Sequence, residues 1–412
     1  MDLPHVNDVI IGLNRRSTGA RTGGTLTTLD DLYWDPIDVA IDDDPYDTWR
    51  RLRDEAPLYR NERYDFWALS RFADVEAAHR DPATFVSSHG TVLELMTDQP
   101  VPSGMMIFQD PPEHSRLRSL VSRAFTPRRT SGLEDHIREL CAELLAPWDG
   151  GADFDFVADF GATLPSMVIC ELLGVPAADR AWVKEKIDTT FHIEPEVGMV
   201  NDVSLTARIE LDGYLTGLLT ERAAAPGDDL LSGLTQADLT LRESADFANL
   251  LVSAGTETVA RLLGWAAVVL DEFPDQRAEL VADPSLVPNA VEELLRYEAP
   301  SPVQGRWTSR PVELHGTEVS AGAKVLLLTG SAGRDDRQYP DADRFDVRRR
   351  FEQHVSFGYG IHFCLGASLA RIEGRVALEE ALRRHPTWQV DRARAVRLHT
   401  STVRGWSSVP VR

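Results

Sequence analysis

The chain is short of cysteine, short of basic charge and without a long uninterrupted apolar run. Its three cysteines, Cys141, Cys170 and Cys364, form no C-x-x-C pair and no even-numbered framework. That excludes a disulfide scaffold and a zinc site built on cysteine pairs, and it points to a reduced, cytoplasmic setting. Lysine and arginine total 43 against 65 aspartate and glutamate, a net charge of −22. So acidic a surface argues against nucleic acid or an anionic membrane as the main partner. The apolar run VIIGL at 9–13 falls far short of the roughly 20 residues a spanning helix needs. It also lacks the basic flank of a secretory signal. The longest apolar region, 247–270, is interrupted by Thr256, Glu257, Thr258 and Arg261, so it reads as a buried core helix. No membrane anchor is expected. There is no internal repeat and no low-complexity block.

What is present is an ordinary globular composition, 43% apolar and 26% charged over 412 residues, enough to bury a sizeable core. Residues 14–30, NRRSTGARTGGTLTTLD, read as mobile or wrapped on the surface. We therefore take 1–35 as a peripheral segment and 36–412 as one domain. Helical periodicity begins near residue 44 and then covers 71–80, 114–125, 131–147, 164–172, 205–223, 241–271, 288–298 and 368–384. LYRNERYDFWALS (58–70) reads as a hairpin, and VELHGTEV (312–319) and KVLLLTG (324–330) as strands. The expected fold class is mainly α with a small β region assembled from distant parts of the chain.

The helix near 241–271 has a clear start and stop. TLRE (240–243) fits a capping box, and Pro274 stands just past the end. About 30 residues span roughly 45 Å, the width of a whole domain. In its middle stands AGTET, 254–258. Interior glycine costs up to about 1 kcal/mol relative to alanine, and buried polar groups cost more. AGT alone could be a packing notch. An acid beside a hydroxyl raises a functional reading.

The segment HVSFGYGIHFCLG (354–366) sets Cys364 among Gly358, Gly360 and Gly366. Three readings compete for this thiol. It can be an inert buried hydrophobe. It can be a nucleophile with His362 as base, although residues two apart do not face each other on a helix. It can be a thiolate metal ligand, stabilised by backbone N–H groups and by the start of the helix that follows. Zinc lacks the further ligands it needs here. A cofactor that brings most of its own ligands, such as haem, needs only this one.

Phe357, Gly358, Gly360, His362, Cys364 and Gly366 stand as F-G-x-G-x-H-x-C-x-G. This resembles the haem-binding signature of the cytochrome P-450 family, the haem-thiolate monooxygenases. QDPPEHSRLRSLVSRAFTPR (109–128) resembles the family helix whose H-x-x-x-R pair, here His114 and Arg118, binds haem propionates. AGTET resembles its acid–alcohol signature, with Glu257 as acid and Thr258 as alcohol. EELLR (292–296) supplies E-x-x-R as Glu293 and Arg296, a structural pair that Arg344 of PDADRF (340–345) is expected to join. Arg306 stands where bacterial members carry a further propionate-binding arginine. The likeness covers about 36–412, and its matches follow the family's order.

The resemblance implies a P-450 fold, with a long central helix over haem b (iron–protoporphyrin IX) ligated by Cys364. His114, Arg118, Arg306 and His362 would bind the propionates. Phe357 would pack near the sulfur, and Gly366 would allow close approach. Ala254 and Gly255 would leave room for O2 in a local opening of the helix, and Glu257 and Thr258 would deliver protons. The implied reaction hydroxylates or epoxidises an apolar small molecule of the lipid, steroid, terpene, polyketide or xenobiotic class. Electrons would come from a separate ferredoxin and ferredoxin reductase. Arg116, Arg123, Arg348, Arg349, Arg350, Arg371 and Arg375 are candidates for a basic docking patch, or are ordinary solvated arginines. The pocket would be lined by 83–107, 186–205, the central helix, 301–305 and 400–404. Leu93, Leu95, Met96, Met105 and Met106 are either its walls or core filler. Rival readings are a partner-independent peroxygenase or isomerase, and a non-enzymatic haem sensor or carrier. The intact Glu257–Thr258 pair speaks against both.

Overall fold

The computed structural model describes residues 32–124, 132–150, 153–191, 194, 201–350 and 352–412, the side chains of residues 123 and 124 excepted. Its axis is the helix Leu241–Glu272. The capping box forms as expected. Thr240 Oγ1 accepts from the Glu243 N–H at 3.2 Å, and the Glu243 carboxylate accepts from the Thr240 N–H at 2.7 Å. The helix stops at Phe273, and Pro274 opens the next one, Pro274–Ala282. Most residues from Ser244 to Leu270 are buried and belong to the largest apolar cluster. Helices approach this axis where glycine removes a side chain. A Cβ on Gly374, in the helix Ala367–Arg384, would lie 3.1 Å from Leu262 and 3.3 Å from Val291 of the helix Val287–Tyr297. Three helices therefore meet at one missing side chain.

A five-stranded sheet lies beside this body, in the order Leu58–Asn61, Phe66–Leu69, Lys324–Leu327, Gln304–Thr308, Phe85–Val86. The first two form the expected hairpin, with Leu58 opposite Leu69. Phe66–Leu69 then pairs in parallel with Lys324–Leu327. A parallel pair cannot be joined by a tight turn, and here most of the helical body forms the crossover. VELHGTEV folds as the hairpin Val312–Leu314 and Thr317–Val319, turning at His315 and Gly316 with φ of 48° and 74°. KVLLLTG is only partly strand. It ends at Leu327, and Thr329–Gly333 is a short helix. The pairing of Val396–His399 with Arg404–Ser408, and of Phe154–Asp155 with Pro410–Val411, adds two small sheets that periodicity did not indicate. The helix Arg180–Thr190 is likewise unforeseen.

Residues 1–31 lie outside the described residues. Trp34 and Asp35 are buried, with the Trp34 N–H donating to Tyr59 Oη and Asn61 Nδ2 donating to the Trp34 carbonyl. The packed body therefore takes in residues ahead of 36. Among the described residues, Phe156–Leu173 is long and apolar enough to cross a membrane, but 61% of it is buried inside the protein.

Candidate active site

Cys364 closes a loop that the helix end at His79 holds from outside. Gly358 and Gly360 have φ of +66° and +65°, a region that favours glycine. A Cβ on Gly360 would lie 2.6 Å from the His79 carbonyl oxygen, so loop and helix touch backbone to backbone there. The Cys364 N–H donates to the Phe357 carbonyl at 2.9 Å, folding the loop back on itself. Burial pushes the Cys364 thiol up, and the N–H groups of Gly366 and Ala367 with the charges of Arg118 and Arg371 oppose it. These N–H groups open the helix Ala367–Arg384, so the sulfur sits at the helix's positive end. A side chain added at Gly366 would meet no protein atom within 4 Å, which leaves space beside the sulfur for a flat group. Phe357 borders the loop, with the Arg371 guanidinium 4.6 Å from its ring centroid.

Next to this loop the fold gathers cations and imidazoles with little to neutralise them. His114 is buried, both its ring nitrogens lack a hydrogen-bond partner among the described residues, and its ring lies 4.2 Å from that of His362. Arg118 Nη2 donates to the Phe363 carbonyl at 2.8 Å and has no carboxylate partner among the described residues. Arg306, on the strand Gln304–Thr308, is 5% exposed and among the described residues bonds only the Gly305 carbonyl. Burial holds its guanidinium down to about 10. His362 is held down to about 2 by burial, then by Arg306, His114, His79 and Arg118. Ser87 Oγ lies 3.2 Å from His362 Nε2. Asp110, the acid that acts on both His114 and Arg306, is occupied by the N–H groups of Ser87 and Ser88. His79 is the member sequence reasoning missed. It is buried with both ring nitrogens unpartnered among the described residues, and burial and Arg306 hold it down to about 3. Its signal, a histidine ending an otherwise apolar helix face, is too common to single out. Together these groups fit a bound dianion such as the two carboxylates of a haem.

The central helix faces this space along a short stripe. Leu250, Ser253, Ala254, Gly255 and Thr258 are accessible in the middle of an otherwise buried helix. Thr258 Oγ1 donates to the Ala254 carbonyl at 2.9 Å. Two expectations need correction. The helix is unbroken from Leu241 to Glu272, so no local opening is present. A Cβ on Gly255 would lie 2.8 Å from Ile169 Cδ1, so this glycine makes room for the helix Thr163–Leu173. Ala254 is exposed on this stretch. Glu257 is ion-paired at 2.8 Å with Arg261, one turn on, and Arg261 also bonds the Trp406 carbonyl.

The structural pair forms in full burial. Arg296 Nε and Nη2 donate to Glu293 at 2.7 and 2.8 Å, and both side chains are 0% exposed. The third arginine, however, is Arg349, whose Nε lies 3.0 Å from Glu293. Arg344 contributes only its carbonyl to Arg296. The docking arginines are mostly compensated: Arg116 by Glu113 and Glu243, Arg348 by Glu279, Arg371 by Glu292, Arg375 by Glu134 and Glu379. Arg350 is exposed, and the Arg123 side chain lies outside the described residues. Leu93, Met96 and Met106 are buried in core clusters, which leaves Leu95 and Met105 as half-exposed wall candidates. Within 186–205, residues 192–193 and 195–200 lie outside the described residues.

A family model described as cytochrome P-450 matches residues 228–403. The chain is 41% identical over 389 residues to cytochrome P-450 123 of Mycobacterium tuberculosis, covering 92% of this chain and 97% of that one. It is 38% identical over 384 residues to a vitamin D(3) 25-hydroxylase of Pseudonocardia autotrophica, covering 89% and 93%. Among solved structures, the open form of cytochrome P-450 EryK from S. erythraea superposes with a TM-score of 0.82 at 35% identity, covering 90% and 96%.

Proposed function

Because the chain belongs to the cytochrome P-450 family, we propose that it hydroxylates or epoxidises a lipid, steroid, terpene, polyketide or xenobiotic with electrons from a separate ferredoxin and ferredoxin reductase. The enzyme is a haem monooxygenase, using O2 on an apolar substrate. Bound haem supplies the dioxygen chemistry, and thiolate ligation in this family is the standard example of electron donation that favours O–O cleavage. The residues present fit that group. Cys364 would hold the iron. His114, Arg118, Arg306 and His362 would hold the propionates by charge-assisted hydrogen bonds.

The chain's own work is proton delivery and water exclusion. Thr258 Oγ1 gives its proton to the Ala254 carbonyl and keeps its lone pairs free. It can accept a hydrogen bond as it stands, and it can donate into the active-site space only by releasing the Ala254 carbonyl. Glu257 would supply a proton and, being paired with Arg261, must turn from the ion pair to do so. The reducing setting implied by three free cysteines supports a cytoplasmic location. We read 36–412, with Trp34 and Asp35 packed into the same body, as the single catalytic domain. A relative named as a vitamin D(3) hydroxylase supports the lipid and steroid end of the substrate range.

One observation supports this reading above the rest: a buried imidazole–arginine cluster without an ion-paired counter-ion among the described residues, beside a cysteine at a helix start. A reduced carbon monoxide spectrum tests it. Thiolate ligation predicts a strongly red-shifted Soret band, lost in Cys364→Ser, and an ordinary histidine-type band would refute it. Turnover only with reduced ferredoxin would exclude the peroxygenase, isomerase and sensor readings. Thr258→Ala should keep electron consumption and lose most product, by roughly tenfold or more. Full coupling in that variant would remove Thr258 from the mechanism.

A further inference from the structure

The accessible stripe of the central helix runs into a buried ion pair. Glu257 stands two turns after Leu250, and Arg261 two turns after Ala254, so both continue the face that the stripe presents. Their side chains are nevertheless only 11% and 7% exposed. The hairpin of Val396–His399 and Arg404–Ser408 packs onto this part of the helix. A Cβ on Gly405 would lie 2.7 Å from Arg261 Cδ and 2.9 Å from its Cβ. Arg261 Nη1 donates to the Trp406 carbonyl, and Trp265 Nε1, one turn on, donates to the Arg404 carbonyl at 3.1 Å. Arg261 is therefore pinned between helix and hairpin, at a point where glycine lets the two meet.

The two partners are held unequally. Among the described residues, Glu257 has Arg261 as its only partner. Arg261 Nη2 comes within 2.8 Å of Glu257 Oε1, yet Oε1 makes no aligned hydrogen bond and Arg261 Nε has no partner. A buried ion pair repays its desolvation only when its geometry is good. This one is close but misaligned, so it is held by charge more than by direction. The hairpin fixes the arginine, which leaves the acid as the partner that can move. Thr258 is the next residue, and neighbours on a helix do not face each other. The carboxyl group must swing off Arg261 to serve it.

We infer that Arg261 is the positioning residue of the proton path: fixed by the C-terminal hairpin, it holds Glu257 back from Thr258 and takes it back after each proton is delivered. A proton taken from solvent by the Glu257 carboxylate removes the charge that Arg261 holds. The neutral acid swings free and passes that proton toward Thr258 Oγ1. It is then a carboxylate again, and the guanidinium, left buried with one backbone carbonyl, draws it back. The inference rests on the reading of Glu257 and Thr258 as the proton path and adds the residue that returns the path to its start.

The infrared stretch of carbon monoxide on the reduced, haem-loaded protein tests the inference, because that band shifts with charge brought close to it. Arg261→Met should add a second, shifted band as the released carboxyl group approaches the stripe, and Arg261→Lys should restore the wild-type band. Gly405→Ala displaces Arg261 without removing its charge and should add the same second band. Arg261→Met combined with Glu257→Gln should lose it, because Arg261 acts through Glu257. A wild-type band in Arg261→Met (in Gly405→Ala, should Arg261→Met not fold) would overturn the inference, as would a second band that survives in the double variant. The underlying readings fail separately. A histidine-type Soret band would count against thiolate ligation, whereas the variant comparison holds for carbon monoxide on any haem. Full coupling in Thr258→Ala would remove the proton path itself.

Discussion

At the scale of single residues, the informative side chains are those buried without a partner. His79, His114 and Arg306 are buried with few or no hydrogen-bond partners among the described residues, as a site for a bound anion requires. Glu373 is different: it is 1% exposed, on the helix Ala367–Arg384, with Oε2 unpartnered. Burial pushes its carboxyl up to about 8 from the ordinary 4.5. The folded protein therefore holds a proton that the unfolded chain releases between these values. This contribution to stability is fully present below about 4.5 and is lost as pH rises through about 8. Glu373→Gln carries no such proton. Relative to wild type it should gain roughly 2–4 kcal/mol between pH 5 and pH 9, read as the difference in unfolding midpoints by calorimetry. Parallel pH profiles for the two proteins would show that Glu373 is ionised in the native state. The Glu293–Arg296–Arg349 cluster shows how far a residue-level reading reaches. E-x-x-R was legible from spacing alone. Which of the nearby arginines completes it depends on where the chain turns after Pro340, and that side chain is Arg349.

At the scale of elements, the site is built from backbone contacts that only glycine permits. The Cys364 loop rests on the end of the helix Phe72–Arg80 through Gly360. Gly360→Ala faces both an unfavourable positive φ and a backbone oxygen that cannot move aside. It should cost roughly 1–3 kcal/mol and release haem more readily, measured as haem transfer to an excess of apomyoglobin. Wild-type retention would show that the loop tolerates a shift away from His79. The central helix is the best-read element of the chain, since its cap, length and stop all follow from sequence. The role given to Gly255 was wrong, because sequence cannot tell which side of a helix another helix will press. Ile169 occupies that side.

At the scale of the whole molecule, charge is abundant but largely paired. The net charge of −22 coexists with arginines on the Cys364 side that are mostly tied to glutamates. Paired surface charges contribute little and steer weakly. Reduction by the proposed ferredoxin partner should therefore change by less than about threefold between low and physiological salt, where an uncompensated patch would give a steep fall. Stopped-flow reduction at several ionic strengths checks this, and a fall of about tenfold or more would restore the basic-patch reading.

The sequence by itself determined the reaction class. A thiolate, its glycines, an acid–alcohol pair and an H-x-x-x-R helix are local patterns, and each is set by residues a few positions apart. The major helices and the first hairpin were legible for the same reason, because periodicity is a local property. The tertiary structure decided everything that depends on meeting across long separations. It brought His79 to Gly360, Arg349 to Glu293, Ile169 to Gly255 and the strand Phe66–Leu69 to Lys324–Leu327. It also left the Arg306 guanidinium buried with a backbone carbonyl as its one bonding partner among the described residues. Whether an arginine has a counter-ion is a fact about all its neighbours at once, and no stretch of sequence contains them.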